Sequence, residues 1–196
     1  LLVMVGFNRR FAPQVIKMRE LLATVPGPRA MTMTVNAGAI PANHWTQDRD
    51  VGGGRLVGEG CHFIDLLRHL AGAPIASSHA VAMDGATRDS VVVTLTFENG
   101  SVGSIQYLAN GHKSLAKERL EVFAGGRVLQ LDNFRQLSGF GWTGFSQMNL
   151  WRQDKGQGGC VAATLQAIRQ GGAWPIPLEE LLEVARVTLA LDESIQ

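Results

Sequence analysis

The sequence predicts an α+β domain in which a largely antiparallel open sheet carries helices on one face. The first observation is a β-rich middle part, where alternating apolar and polar residues form two pairs of runs. Each pair is joined by a tight-turn dipeptide, Asn99-Gly100 in the first and Gly125-Gly126 in the second. The second observation is that helical patterns flank this part on both sides, so several helices share one sheet to pack against.

The first three elements alternate between strand and helix. The apolar run LVMVGF at residues 2–7 predicts a short strand. A helical pattern follows from Pro13 to Ala23, and proline suits the first turn of a helix because its missing N–H is not needed there. The breakers at 26–28 end this helix, and the alternating residues 30–37 predict a second strand.

The stretch GGGRLVGEGCHFIDLLRHLAG, residues 52–72, follows a long turn-rich loop. Its apolar residues recur at helical spacing from Leu56 to Ala71, and Gly72 and Pro74 form a normal helix stop. The remaining predictions are β structure from 75 to about 132 with hairpins over 90–108 and 117–132, an irregular segment over 133–157, and helices at about 159–170 and 178–194.

One face of the first predicted hairpin is too polar for a dry core. The residues on that face are Val92, Thr94, Thr96, Glu98, Val102, Ser104, Gln106 and Leu108. Such a face could point to solvent, and it could equally serve self-association or form the floor of a site.

Composition and charge limit the classes of partner. The chain has 196 residues, 45% of them hydrophobic, which suffices for one domain or for one large domain with an appendage. A net charge of +1 gives no electrostatic case for nucleic acid, and no apolar run approaches the ~20 residues of a membrane span. Cys61 and Cys160 lie outside any metal spacing, so we expect reduced thiols in a cytoplasmic protein. Because the chain begins with Leu1 inside a strand-like pattern, we expect a piece of a longer protein.

The helix predicted over 56–71 carries polar side chains on one side. At about 100° per residue, His62, Asp65 and His69 lie opposite the apolar stripe, and Glu59 is rotated from them by roughly a quarter turn. His62 and Asp65 can touch, so the carboxylate could raise the pKa of the imidazole and fix its tautomer. This arrangement suits proton transfer, but it is also common on solvated helix faces. The HxxDxxxH spacing spreads its ends by about 10 Å, so we expect no metal.

Residues around the loop before the triple glycine are candidates for binding a sugar. They are Asn36, Asn43, His44 and Trp45. Amides supply donors and acceptors for hydroxyl groups, and an aromatic ring can stack on the C–H face of a sugar. A capped loop around a buried tryptophan would give the same composition. Lys155, in DKGQGG, could reach the same pocket or be an ordinary surface charge.

Four other residues are predicted to have structural roles only. Lys117 and Glu118 stand at the start of a predicted strand and could form an exposed ion pair of little energetic value. Trp142 and Trp151 are expected to cover the core.

Five segments together resemble one protein family. They are VGFNRRF, NAGAIPANHW, GGGRLVGEGCHFIDLLRHLAG, KERLEVF and DKGQGG. In this order they resemble the C-terminal domain of the glucose-fructose oxidoreductase, inositol dehydrogenase and rhizopine-catabolism oxidoreductases (Gfo/Idh/MocA). The resemblance covers essentially the whole chain. Its most specific part is GGGxxxxxxxHxxD, read as a helix that follows a long loop.

The resemblance implies a fold and a cofactor. The fold is the open-sheet substrate domain of that family, similar to the C-terminal domain of glyceraldehyde-3-phosphate dehydrogenase. In the family a preceding Rossmann domain binds NAD or NADP and carries a catalytic Lys in a Glu-Lys-Pro motif. This chain has neither GxGxxG after a strand nor Glu-Lys-Pro, and its triple glycine follows a loop. We therefore expect the cofactor domain to be absent from residues 1–196 and no cofactor to bind this chain by itself.

The resemblance also implies residue roles. The family's helix histidine falls on His62, and its following aspartate falls on Asp65. Many members have another Asp four residues before the histidine, where this chain has Gly58, so Glu59 is the candidate to replace it. We expect His62 and Glu59 to be catalytic and Asp65, with the loop residues and Lys155 above, to bind substrate.

The function implied is that of a substrate-binding and oligomerisation domain of an NAD(P)-dependent oxidoreductase. Its substrate would be a small molecule with a sugar, sugar-derivative or cyclitol hydroxyl, and it would form a homo-oligomer through the open sheet face. No nucleic acid or membrane partner is expected. The alternative, favoured by the departure at Gly58, is a non-catalytic ligand-binding or dimerisation module.

Overall fold

One mixed sheet forms the centre of the protein. The computed structural model describes residues 3–48, 50–85, 87–171 and 173–196. Within them, eight strands are hydrogen-bonded in the order β2-β3-β4-β1-β5-β6-β7-β8. The strands are β1 Ala30–Asn36, β2 Ile75–Ala82, β3 Val91–Phe97, β4 Val102–Leu108, β5 Glu118–Ala124, β6 Arg127–Asp132, β7 Gln136–Phe140 and β8 Gln147–Asn149. Only β1 and β4 pair in parallel, so the predicted α+β class with a largely antiparallel open sheet is confirmed.

Four α-helices accompany the sheet in the described part of the chain. They are α1 Pro13–Leu22, α2 Cys61–Ala71, α3 Gln157–Gln170 and α4 Leu178–Ser194. A π-helical turn, Leu56–Gly60, leads directly into α2, and 3-10 turns occupy Asn8–Phe11 and Trp45–Gln47. None of the helices that can be described has both the length and the apolar character needed to cross a membrane.

The core lies between the helices and one face of the sheet. Strand residues of one parity point into it, as the period of two requires, and they include Met33 of β1, Val93 of β3, Ile105 of β4 and Val122 of β5. At Gly103 a β-carbon would stand 2.9 Å from Leu67 of α2, so the missing side chain lets that helix approach β4 closely. Helix α2 also contacts α4 and β4.

The turn and stop signals of the sequence are confirmed. Both hairpins form around the predicted dipeptides, and α4 has the predicted bounds. Helix α2 ends at Gly72, whose φ of 71° is left-handed and whose N–H donates to the Arg68 carbonyl. Cys61 and Cys160 are free thiols, as expected.

Two element predictions are wrong. Residues 3–7 form no strand, because the chain turns at once into the 3-10 turn and Phe7 buries its ring in the core instead of pairing. The segment 133–157, expected to be irregular, contains β7 and β8. These strands are three to five residues long, with one fully buried side chain, Leu137, so the sequence offers too few alternations to show a period.

The second face of the sheet is open and mixed in character, as the first hairpin predicted. Thr94 and Thr96 are exposed there, and Ser104 and Gln106 are half-buried. The same face exposes large apolar side chains, which are Val92, Val102, Phe123 and Phe140. Trp151 does not cover the core as expected, because 87% of its surface is accessible, whereas Trp142 is half-buried and packs against the core.

Candidate active site

The candidate residues gather at one end of the sheet. Strands β1 and β4, which are parallel, end there, and the antiparallel strand β5 begins there. Asn36, Leu108 and Glu118 therefore all lie at this end of the sheet. The π-helical turn and the first residues of α2 pass over the same edge, because Glu59 contacts Tyr107 of β4. The topology therefore brings Glu59 and His62 to side chains that are distant in sequence.

The triple glycine serves chain packing. A β-carbon on Gly52 would stand 2.5 Å from the Trp45 carbonyl oxygen and 2.6 Å from the α-carbon of Thr46. The Gly52 N–H also donates to the Asp48 carbonyl at 2.7 Å, so the preceding loop packs directly on Gly52. In the described residues this run does not follow a strand of a βαβ unit, so it does not fit a dinucleotide.

Glu59 is an ionised carboxylate with several donors around it. The Tyr107 hydroxyl donates to it at 2.5 Å, the Lys117 ammonium forms a hydrogen-bonded ion pair with it, and the Arg55 guanidinium is 3.6 Å away. Burial acts to raise the pKa of Glu59, but the hydrogen bonds from Lys117 and Tyr107 and the nearby positive charges hold it below its ordinary value. Glu59 therefore stays charged at neutral pH and is a poor proton donor.

Arg55 ties the helix start to the neighbouring loops. It is 8% exposed, donates to the Gly38 carbonyl at 2.6 Å, and lies over the Tyr107 ring at 5.1 Å. Its second ion pair is with Asp89 at 3.6 Å, and the Asp89 carboxylate also accepts from Gln47 at 3.0 Å. A cavity of about 410 Å³ lies beside this group, with Gln47, Arg55, Asp89 and Tyr107 in its wall. His62 does not line it.

His62 is a largely buried, neutral imidazole. Its ring meets the Phe7 ring edge-on at 5.7 Å, and its Nδ1 atom is buried without a hydrogen-bond partner among the described residues. Burial and the nearby Arg9 charge lower the pKa of His62 to about 4, although the carboxylates of Glu59 and Glu118 act in the opposite direction. His62 is therefore uncharged at neutral pH and has a lone pair on one ring nitrogen.

A second carboxylate, Glu118, also lies near His62. Glu118 is 1% exposed and accepts two hydrogen bonds from Arg9, at 2.8 and 3.0 Å, and one from Lys155 at 2.5 Å. Arg9 is held further by the Phe63 ring, 4.5 Å from its guanidinium carbon. The expectation that Lys117 and Glu118 form an exposed pair with each other is therefore wrong, because each binds a different partner.

The position predicted for Asp65 is wrong. Its carboxylate is fully buried, and each of its two oxygens accepts a hydrogen bond from Arg10. The same arginine also donates a hydrogen bond to Glu180 of α4. Burial raises the pKa of Asp65 to about 6 against the opposing effect of Arg10, so the group is still charged at pH 7. Because both oxygens of the Asp65 carboxylate bind Arg10, this side chain does not orient His62. The same helix face also buries much of His69, and burial lowers the pKa of His69 to about 3.

Asn36 lies at the site edge but holds the backbone. Its side-chain amide donates to the carbonyls of His112 and Leu115, and its N–H donates to the Lys117 carbonyl at 2.7 Å. Gly111 packs against the same amide with no room for a β-carbon. Asn36 therefore fixes the loop that carries Lys117.

The loop residues predicted to bind a sugar are exposed. Asn43, His44 and Trp45 all lie on the surface, and the Trp45 ring is 62% accessible, so it is not a buried loop anchor. The His44 imidazole accepts from the Thr46 N–H at 3.3 Å and caps the 3-10 turn. The structure shows no contact between these three side chains and His62, but Gln47 of the same loop lines the cavity beside Arg55.

Sequence reasoning missed Arg9, Arg55 and Tyr107 and underrated Glu118. A signal for Glu118 was available, because it shares the parity of Leu120 and Val122 and so points into the core side of β5. No three His, Cys, Asp or Glu side chains in the described ranges converge to hold a metal ion.

Comparisons with known proteins agree with this architecture. A family model described as the GFO/IDH/MocA C-terminal domain matches residues 18–128. The fold is similar to UDP-N-acetylglucosamine 3-dehydrogenase from Acidithiobacillus ferrooxidans, with a TM-score of 0.80 and 20% identity over 100% of this chain and 62% of that one. It is also similar to aldose-aldose oxidoreductase from Caulobacter crescentus, with a TM-score of 0.80 and 17% identity over 98% of this chain and 61% of that one. The fold is similar as well to an oxidoreductase domain protein from Kribbella flavida, with a TM-score of 0.80 and 22% identity over 97% of this chain and 63% of that one.

The chain spans about three fifths of the length of these solved structures. No curated protein sequence matches it. The family model covers more than half of the chain, and the neighbouring structures are dehydrogenases and oxidoreductases with the same sheet and helices. The chain therefore belongs to the Gfo/Idh/MocA family and carries its C-terminal domain.

Proposed function

We propose that this chain is the substrate-binding and oligomerisation domain of an NAD(P)-dependent oxidoreductase that acts on a hydroxyl group of a sugar, a sugar derivative or a cyclitol. The observation that carries the proposal is the neutral imidazole of His62, whose buried Nδ1 atom has no hydrogen-bond partner among the described residues, near two ionised carboxylates, Glu59 and Glu118. This arrangement sits in the helix that follows the family's triple glycine. Two structural neighbours are named for action on a nucleotide sugar and on aldoses, which supports a sugar-like substrate.

The residues of this chain account for the proton in such a reaction. Oxidation of an alcohol releases a hydroxyl proton, and the neutral His62 is the residue of this chain that would accept it. Glu59, proposed above as catalytic, keeps its negative charge and stabilises the imidazolium that then forms. Asp65 supports the site at a distance by fixing Arg10, which joins α2 to α4.

The nicotinamide cofactor does not fit the described residues of this chain. The preceding loop fills the space beside Gly52, and no βαβ glycine turn is present in the described ranges. We propose that polypeptide outside this chain holds NAD or NADP. The exposed Asn43, His44 and Trp45 would contact substrate once such a domain stands over the site.

Self-association is proposed for the open sheet face. That face exposes Val92, Val102, Phe123 and Phe140 among polar side chains, a mixture that suits an interface between copies. The same face supports the second candidate function, a non-catalytic dimerisation module. Sedimentation of the wild type and of Phe123→Asp at equal concentration tests the interface, and an unchanged mass of the variant would contradict it.

The decisive test of the enzyme proposal is a substitution at His62. The full-length gene product is assayed for reduction of NAD and NADP with a panel of sugars, nucleotide sugars and inositols. His62→Asn should lower kcat/KM by about 100-fold or more, the usual effect of losing a general base. The matched control is Lys17→Asn on α1, which removes only an exposed ion pair with Glu20. Normal turnover by His62→Asn would refute the role of His62, and no turnover by the wild type on any substrate would favour the binding module.

A further inference from the structure

The group Arg9, Glu118 and Lys155 carries unbalanced positive charge beside His62. Arg9 alone satisfies both carboxylate oxygens of Glu118, at 2.8 and 3.0 Å. Lys155 adds a third bond to the same carboxylate at 2.5 Å. Two cations on one carboxylate leave a net charge of one positive unit, and the imidazole between this group and Glu59 is neutral.

Among the described residues, no carboxylate other than Glu118 forms an ion pair with Arg9 or Lys155. Glu59 is already paired with Lys117 and approached by Arg55. Asp154, next to Lys155 in the chain, directs its carboxylate to the Gly156 N–H at 2.8 Å and forms no ion pair with Lys155 among the described residues. Lys155 is the member of the group whose positive charge is most accessible to a ligand. Its side chain is 18% exposed, whereas those of Arg9 and Glu118 are 8% and 1% exposed.

Lys155 is also fixed in place. Its carbonyl accepts a hydrogen bond from the Asn8 side chain at 2.6 Å. The next residue, Gly156, has a φ of 84° and packs so closely on the backbone of Asn8 and Ala12 that a β-carbon would collide with it. The ammonium uses one of its three N–H groups for Glu118, which is its only hydrogen-bond acceptor in the described part of the chain. Its remaining donors can therefore be offered to a ligand from a rigid backbone.

We propose that Lys155, held by Glu118 and Arg9, is a specificity-determining residue that recognises an anionic group on the substrate, a carboxylate or a phosphate carried by the sugar. A partly buried ammonium with unused donors favours an anion because the interaction is little screened there, and the anion can accept hydrogen bonds from those donors. This inference rests on the proposed function, since it assigns the substrate class of the same site.

The test measures binding of matched ligand pairs to the wild-type chain. The pairs are glucose with glucuronate, galactose with galacturonate, and glucose with glucose 6-phosphate, and binding is followed by calorimetry and by the NMR signal of His62. We expect the anionic member of at least one pair to bind at least tenfold more tightly than its neutral partner. Added sodium chloride should reduce this preference. No difference within any pair would overturn the inference.

Substitutions test whether Lys155 causes the preference for anionic ligands. Lys155→Met should abolish the preference, and it should leave the fold intact because Arg9 still binds both oxygens of Glu118. Lys155→Arg should keep part of it. The matched control is Lys17→Met on α1, which breaks only an exposed ion pair with Glu20. A preference that survives in Lys155→Met would refute the assignment. Turnover of neutral sugars through His62 without anion preference would refute only this inference, whereas anion preference without turnover would refute the enzyme proposal instead.

Discussion

Neutralising Asp65 tests the main difference between the sequence pattern and the structure. If Asp65 lay on a solvated helix face, as its spacing suggests, Asp65→Asn would change the free energy of unfolding by no more than about 0.5 kcal/mol. In the structure the carboxylate is fully buried and binds Arg10 through two oxygens. Breaking one side of a buried ion pair costs about 3–5 kcal/mol, because the other charge stays buried without its partner.

The lower end of that range is expected here. Arg10 keeps a second carboxylate, Glu180, at 2.9 Å, and this partner softens the loss. A loss of about 3 kcal/mol, divided by a urea m-value of about 2–3 kcal/mol/M, lowers the midpoint of urea unfolding by about 1 M or more. Glu20→Gln is the matched control, because Glu20 forms an exposed ion pair with Lys17 at 3.0 Å and should cost less than about 1 kcal/mol.

Urea unfolding followed by circular dichroism and tryptophan fluorescence gives both midpoints. The double variant Arg10→Met with Asp65→Asn should lose less stability than the two single variants added together, because each single change already breaks the same pair. A midpoint for Asp65→Asn within about 0.2 M of the control, or strict additivity in the double variant, would refute the buried-pair reasoning.

Two further predictions concern α3 and His62. Gly158→Ala should stabilise the protein by up to about 1 kcal/mol, since a β-carbon there meets nothing within 4 Å, whereas Gly159→Ala should destabilise it by about 1–3 kcal/mol, since its β-carbon would stand 2.9 Å from the Phe11 carbonyl oxygen. Equal melting temperatures for the two variants would contradict this packing. The pKa of His62 is lowered from 6.5 to about 4 by folding. Between these two pH values the imidazole is protonated in the unfolded chain but not in the folded chain. The free energy of unfolding therefore falls as pH drops through that window. His62→Asn should remove about 2–3 kcal/mol of this pH dependence, and an NMR titration midpoint of the His62 imidazole above 6 would show that the ring is not buried as described.

The local elements could be predicted from the sequence because local chemistry determines them. Asn99-Gly100 and Gly125-Gly126 are tight-turn sequences between runs of period two, and the structure forms both hairpins. The stop at Gly72 follows from the same kind of local preference. The motif that carries His62 was recognisable for its residues and spacing, so the family was within reach of sequence reasoning.

The contacts of the site residues were not predictable in the same way. The helical period places His62 and Asp65 opposite the apolar stripe, but it does not show that Phe7 packs on His62 or that Arg10 and α4 cover Asp65. Glu59 binds Lys117, and Glu118 binds Arg9 and Lys155, and each of these three cations comes from a segment tens of residues away in the sequence.

The sequence by itself determined the turns, most element bounds, the family and the histidine of the site, because propensity, turn chemistry and side-chain period act over a few neighbouring residues. Only the tertiary structure decided which charges are buried and with whom they pair, because burial depends on strand order and helix packing between distant segments. The surplus charge at Lys155, the ionised state of Glu59 and the commitment of Asp65 to Arg10 are all consequences of that second kind.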